Sequence, residues 1–257
     1  MTGKVYLVGA GPGAADLLTI RAARVIESAG ILFHDALVNP EVVALAKKAE
    51  KVPVGKRHGR YSTAQNFINK RLIDAAQRHA VVVRLKGGDP LLFGRAQEEL
   101  DALAAAGIEV EIVSGITAAL AAGAALGVSL TRRGIARNIT FVTPRVGRNE
   151  TASDWAAAVL AADTAVIYMG SGEAQAIADT LIRRGMPADR PLAMVENASL
   201  AGEAQHIARL DQLGSLTARL GGGPAIIVLG EVLRERLAIS ATDHTAQHNL
   251  RNHLRHA

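Results

Sequence analysis

Asp35 follows the apolar run Ile31–Phe33 and residue His34, and a carboxylate at the carboxyl end of a strand is well placed for acid/base work. Capping a helix or turn is the plainer use of the same side chain. Leu85-Lys86-Gly87-Gly88-Asp89-Pro90 joins two glycines, an acid and a proline after a second apolar run, and Leu91-Leu92-Phe93-Gly94-Arg95 follows directly. Open parallel sheets hold ligands beyond the carboxyl ends of their strands, so this bend is a candidate binding loop. Asp89 could accept from a ribose or an amine there, or simply close the turn. Val54-Gly55-Lys56-Arg57-His58-Gly59-Arg60 gathers cations between glycines, a pattern that suits carboxylate binding and equally a solvated loop.

Gly9-Ala10-Gly11-Pro12-Gly13 comes directly after the first strand-like run. Its glycines permit a sharp turn and a close approach to a ligand. With Ala14 it also satisfies the loose pattern G-x-G-x-x-A, and Asp35 lies where a ribose-binding acid would stand. A helix over Leu17–Ala29 would then offer its amino end to an anion. Pro12 argues the other way, because it removes an amide that could face a pyrophosphate. A nicotinamide-dependent oxidoreductase and an empty strand-to-helix turn both remain open on these residues. Gly115-Ile116-Thr117-Ala118-Ala119, Tyr168-Met169-Gly170-Ser171-Gly172 and Val195-Glu196-Asn197-Ala198 occupy similar places after later runs, as ligand-lining backbone or as packing. No G-x-x-x-x-G-K-[ST], G-x-S-x-G or H-E-x-x-H stretch occurs, and the absence of cysteine removes disulfides, thiolate metal sites and a thiol nucleophile.

The elements that must position these residues are legible as alternating runs. Strand-like segments are Val5–Val8, Ile31–Phe33, Lys51–Val54, Val81–Leu85 and Val110–Val113, then Ile139–Thr143, Ala165–Met169, Leu192–Glu196 and Ala225–Leu229. Helical patterns separate them: Ile20–Ser28, Pro40–Ala46, Thr63–Arg78, Ala96–Ala105, Thr117–Leu126, Trp155–Ala161, Glu173–Arg184 and Asp211–Leu220. Continuous apolar strands alternating with helices predict parallel sheets covered on both faces, with a short antiparallel strand at Gln205–Ala208. At 257 residues, 49% of them hydrophobic but only 3% aromatic, the chain has room for two aliphatic, alanine-rich cores. The expected organisation is an α/β domain over 1–116, a second over 117–238 and a polar tail over 239–257 whose histidines are solvated.

The formal charge of +5 owes part of its value to Arg234, Arg236, Arg251 and Arg255 near the end of the chain. The other basic residues stand beside glycine turns without interleaved aromatics, which favours an acidic small molecule over nucleic acid. A non-catalytic basic binding protein is the competing reading of the same charge. A first strand opening at Lys4 and apolar stretches too short to span a membrane lead to the expectation of a cytoplasmic protein that uses no membrane.

Taken in order, seven stretches resemble the motif series of the class III, tetrapyrrole-type S-adenosylmethionine methyltransferases over roughly Lys4 to Val232. They are Val8-Gly9-Ala10-Gly11-Pro12-Gly13, Asp35-Ala36-Leu37-Val38, Val54-Gly55-Lys56-Arg57, Arg84–Pro90 with Phe93-Gly94-Arg95, Gly115-Ile116-Thr117-Ala118, Tyr168-Met169-Gly170 and Val195-Glu196-Asn197. The resemblance implies a tetrapyrrole methylase fold: two α/β domains with mainly parallel sheets, an active-site trough between them, and assembly as a homodimer. It implies S-adenosylmethionine as methyl donor, no metal, and a tetrapyrrole polycarboxylate as substrate. Uroporphyrinogen III would be methylated at two ring carbons to give precorrin-2, for sirohaem or cobalamin synthesis, with a related precorrin as the subsidiary reading.

Carried over by position, Pro12, Gly87, Gly88, Asp89, Leu92, Thr117, Ala118, Met169, Ala198 and Ala225 would line the donor. Asp35 matches the proton acceptor and Lys56 the proton donor, while Lys56, Arg57, Arg60, Arg95, Arg132 and Arg133 are candidate anchors for substrate carboxylates. In that family the first glycine loop does not cradle a dinucleotide. The chain departs from the family's pattern at His34-Asp35-Ala36, where Tyr-Asp-Arg is usual, and at Ala96, Gln97, Ser114, Arg132–Ile135 and Pro144-Arg145.

Overall fold

The structure is a computed structural model and describes residues 2–54, 65–147, 151 and 153–240. Lys56, Arg57, His58, Gly59 and Arg60 fall outside the described residues, as does the tail from residue 241 onward. The chain divides into two compact units, the first running to Ala121 and the second starting at Ala122.

Five strands form the sheet of the first unit: β1 (Lys4–Gly9), β2 (Ile31–His34), β3 (Glu50–Pro53), β4 (Val81–Lys86) and β5 (Val110–Val113). Their order is β3-β2-β4-β1-β5 and every pairing is parallel. The connecting helices are α1 (Ile20–Glu27), α2 (Pro40–Ala44), α3 (Gln65–Ala76) and α4 (Ala96–Ala105). Side chains alternate across a strand, so each apolar run feeds two layers. Val5, Leu7, Ile31, Phe33 and Val82 pack with Ile68 and Leu72 of α3 and Leu103 of α4. Val8, Leu32, Val83 and Leu85 pack with Ala22 and Ile26 of α1 and Val42 of α2. Each fully buried aliphatic side chain contributes about 1.5–3 kcal/mol. The covered parallel sheet expected from the continuous runs is present here.

The second unit holds β6 (Ile139–Val142), β7 (Thr164–Ile167), β8 (Pro191–Glu196), β9 (Ala204–Arg209) and β10 (Ala225–Gly230), in the order β6-β7-β10-β8-β9. Only β6 and β7 pair in parallel; β7–β10, β10–β8 and β8–β9 are antiparallel. The expectation of a mainly parallel sheet is therefore corrected for this unit. Residues 197–203 are too few for a crossover, which takes about a dozen, so β9 must return beside β8. That strand was expected as antiparallel at Gln205–Ala208, but burial did not reveal the direction of β10, because all six residues of β8 are buried whichever way its neighbours run. Helices α6 (Trp155–Ala161), α7 (Ala174–Arg183) and α8 (Leu213–Leu216) cover one face through Val159, Ile177, Leu181, Leu213 and Leu216. Between β5 and β6 lies α5 (Ala118–Leu126), alanine-rich throughout. Among the described residues no helix is long and apolar enough to cross a membrane.

Candidate active site

Loops leaving β1, β4 and β5 interlock at the carboxyl edge of the first sheet. The Ala10 amide donates to the Lys86 carbonyl at 2.7 Å, the Gly88 amide to the Gly11 carbonyl at 2.7 Å, and the Gly11 amide to the Gly88 carbonyl at 3.2 Å. Asp89 ties in the third loop: its Oδ1 accepts from the Leu91 amide at 2.9 Å and its Oδ2 from the Gly115 amide at 3.0 Å. A Cβ on Gly9 would lie 2.6 Å from both Gly115 Cα and the Gly88 carbonyl oxygen, and one on Gly115 only 2.2 Å from that oxygen. These glycines let three backbones touch. At the exposed Gly87 a Cβ would meet nothing within 4 Å, which leaves that stretch of backbone open to a ligand.

The first glycine loop does not open a helix. Ala15–Leu17 forms a 3-10 turn, and α1 begins at Ile20, capped by Thr19 Oγ1 accepting from the Ala22 amide at 3.1 Å. The helix begins at Ile20, as the helical pattern Ile20–Ser28 expected, and not at Leu17, so its amino end is not where the glycine motif needs it for pyrophosphate. The dinucleotide reading fails on that geometry.

Beneath these loops lies a network of buried charge. Arg84 and Lys86 stand two apart on β4, so both side chains leave the face that carries Val82 and point toward α3 and α4. Arg84 Nε donates to Glu99 Oε1 at 2.9 Å and Nη2 to Asp35 Oδ1 at 2.6 Å. Lys86 Nζ reaches Glu99 Oε1 and Oε2 at 3.3 and 3.2 Å. Gln65 Nε2 donates to Glu99 Oε1 and to Asn69 Oδ1, both at 3.1 Å. Glu99 is wholly buried and Arg84 nearly so, whereas Asp35 keeps 33% of its side chain exposed. Burial opposes the Arg84 charge, but Asp35 and Glu99 outweigh it and hold its pKa above the ordinary value. Burial, and then the positive charge of Arg84, push the Lys86 ammonium below its ordinary pKa. The outcome is a carboxylate at the surface, Asp35, gripped from below by a cation that cannot turn away.

In the second unit, β7 and β8 end where β10 begins, because β10 runs antiparallel to both. Glu196 Oε2 accepts from the Gly221 amide at 2.8 Å and Oε1 from the Gly223 amide at 2.5 Å, while the Asn197 amide donates to the Pro224 carbonyl at 2.9 Å. Among the described residues, the non-glycine residues with positive φ are Phe93, Arg95, Met169, Asn197 and Ser199. All follow β4, β7 or β8, and such strain gathers where a loop is held for function. An open surface cavity of about 550 Å³ is lined by Thr131, Arg132, Arg133, Ala136 and Arg137.

The family Tetrapyrrole (Corrin/Porphyrin) Methylases matches the chain over residues 4–214. The chain belongs to that family.

This methylase is 44% identical over 236 residues to the uroporphyrinogen-III C-methyltransferase of Pseudomonas aeruginosa, covering 91% of the chain and 96% of that protein. It is 44% identical over 231 residues to the sirohaem synthase of Zymomonas mobilis, covering 90% of the chain but 49% of the relative, so it spans about half the length of that protein. A crystal structure of the uroporphyrin-III C-methyltransferase of Thermus thermophilus, complexed with S-adenosylhomocysteine, superposes with a TM-score of 0.80 at 39% identity, over 90% of this chain and 99% of that one. The two-domain α/β architecture of the methylase is that of the Thermus thermophilus structure.

Of the residues singled out in the sequence, Gly87, Gly88, Asp89, Leu92, Thr117 and Pro12 lie in the loops at the carboxyl edge of the first sheet, Ala118 opens α5, and Asp35 follows β2. Met169, Ala198 and Ala225 share one end of the second sheet. Lys56 is outside the described residues. Two expected anchors are already engaged: Arg95 closes on Glu98 at 2.7 and 2.8 Å, and Arg132 on Glu235 at 2.9 Å. Sequence reasoning assigned no role to Arg84, Lys86 or Glu99. The available signal was two cations at alternate positions in an otherwise aliphatic strand, which must find a buried acid.

Proposed function

We propose that this chain is a uroporphyrinogen-III C-methyltransferase, using S-adenosylmethionine to methylate two ring carbons of uroporphyrinogen III to precorrin-2. The observation that carries the proposal is the 44% identity spanning 96% of the Pseudomonas aeruginosa enzyme of that name. In each transfer a carbon–methyl bond forms as the methyl–sulfur bond breaks, and the electron pair stays on sulfur as S-adenosylhomocysteine forms. The methylated macrocycle carries the positive charge until a proton leaves to Asp35. Alignment of the nucleophilic carbon with the methyl group supplies most of the rate.

The interlocked loops suit the donor. Each Asp89 oxygen receives one amide hydrogen and retains acceptor capacity for a ribose hydroxyl or an amine. Gly87, Gly88, Leu92, Thr117 and Ala118 would line the donor beside it, with Pro12 at the edge; the family resemblance adds Met169, Ala198 and Ala225 to the donor-binding residues. Lys56 serves as proton donor, and Arg133 and Arg137, in the cavity after α5, are suited to substrate carboxylates. Domains of 1–116 and 117–238, a homodimer and a cytoplasmic location complete the proposal.

Incubation of the purified protein with uroporphyrinogen III and methyl-labelled donor is expected to place two labels on each macrocycle; no label on any tetrapyrrole refutes the proposal. Asp89→Ala should weaken S-adenosylhomocysteine binding about tenfold or more, from the loss of hydrogen bonds worth about 1.5–3 kcal/mol each. Calorimetry with wild-type affinity for that variant would remove Asp89 from the donor site.

A further inference from the structure

The methyl transfer proposed above uses Asp35 but none of the buried charge beneath it. Every nitrogen of the Arg84 guanidinium is held: Nη2 by Asp35 Oδ1 at 2.6 Å, Nε by Glu99 Oε1 at 2.9 Å and Nη1 by the Leu85 carbonyl at 3.1 Å. Glu99 is fixed in turn by Lys86 from β4 and by Gln65 from α3, and Asn69 continues the chain to the Glu98 carbonyl at 3.0 Å. Among the described residues, Oδ1 of Asp35 is engaged by Arg84 and Oδ2 accepts no hydrogen bond. One oxygen is anchored and the other is presented.

We propose that Arg84 is a positioning residue for Asp35, with the Glu99–Lys86 pair holding the guanidinium in register so that Oδ2 meets the proton leaving the methylated ring. This rests on the reading of Asp35 as proton acceptor. The proton passes to Oδ2 and Arg84 keeps its own, since a guanidinium is not deprotonated in proteins. The buried network thus acts at a distance from the reacting atoms, and its loss misplaces the acceptor without touching the donor site. Misplacement of a reacting group by about 1 Å costs up to about 100-fold in rate.

The test is a double-mutant cycle on the full chain, with kcat and KM for uroporphyrinogen III, affinity for S-adenosylhomocysteine and thermal melting measured for each variant. Arg84→Met is expected to lower kcat about 10–100-fold with KM and S-adenosylhomocysteine affinity nearly unchanged. On an Asp35→Ala background it should add less than about twofold, because the group it positions is gone. Arg84→Lys keeps a buried cation beside Glu99 but cannot span both carboxylates; it should show the same pattern, and it carries the cycle if Arg84→Met does not fold. Glu99→Gln should lower kcat in the same direction by less. Losses that multiply in the double variant, or full kcat in a folded Arg84 variant, overturn the positioning role. Full kcat in Asp35→Ala alone overturns the proton-acceptor reading itself, a different result from a slow Asp35→Ala with multiplying losses.

Discussion

Glu99 and Glu196 are both buried carboxylates near the edge of a sheet, and the two units neutralise them by different means. Glu99 lies between a guanidinium and an ammonium, with an amide side chain on the same oxygen. Glu196 is held by backbone amides of Gly221 and Gly223. A carboxylate paired with two cations needs a further anion for balance, and Asp35 supplies it while remaining partly exposed. The charged arrangement therefore delivers a functional group to the surface. The amide-bound arrangement delivers shape: it holds the loop before β10 against the end of β8, where Asn197 and Ser199 adopt left-handed conformations. The same residue type does different work because its partners differ.

Removing each carboxylate tests that contrast most strongly. Glu99→Ala strands Arg84 and Lys86 together in the interior and is expected to destabilise the protein by about 3–5 kcal/mol in denaturant unfolding. Glu196→Ala leaves two amides in a largely exposed glycine loop and should cost about 1–3 kcal/mol. A larger loss at Glu196 would break the comparison.

A methyl group in each glycine cluster gives a smaller contrast. At Gly115 the added Cβ meets the Gly88 carbonyl and the Gly9 backbone, neither of which can move alone. Gly115→Ala should cost about 1–3 kcal/mol and weaken S-adenosylhomocysteine binding with it. At Gly223 the Cβ meets the end of the Asn197 side chain, which can rotate aside, so Gly223→Ala should cost less. Equal melting temperatures for the two variants would show that the loops of the first unit are softer than their contacts imply.

The smallest effect lies in pH. Lys86 is held below its ordinary 10.5 by burial first and by Arg84 second. Between that lowered value and 10.5 the unfolded chain binds more protons than the folded one, so the contribution of Lys86 to stability rises with pH across this window. Melting curves stepped upward toward pH 10.5 should fall less steeply in the wild type than in Lys86→Met. Parallel curves would mean that Glu99 holds the ammonium charged throughout.

Much of the loop geometry around the candidate site was legible because its motifs are local. Gly87-Gly88-Asp89-Pro90 reads as a bend after an apolar run, and the bend is at the end of β4. The dinucleotide pattern at Gly9–Gly13 misled because the same glycines serve a different end: Gly11 pairs with Gly88, and the helix waits until Ile20. A pattern of glycines reports that backbones come close, and says nothing of what they approach. Asp89 was read as either ligand-binding or turn-closing, and it is a turn residue that also spans to Gly115.

The sequence by itself determined where strands and helices lie and which faces they bury, because alternation and helical spacing are carried by neighbouring residues. It also carried the family, through ordered motifs spread along most of the chain. Apart from the antiparallel strand at Gln205–Ala208, strand direction in the second sheet was left to the tertiary structure: a buried strand reads alike in either direction, and only the connections choose. The joining of Arg84 to Asp35 and Glu99 was decided there too. Four charged residues, Arg84 and Lys86 from β4, Asp35 after β2 and Glu99 from α4, become one neutral unit only when the parallel sheet and its covering helices close and shut water out.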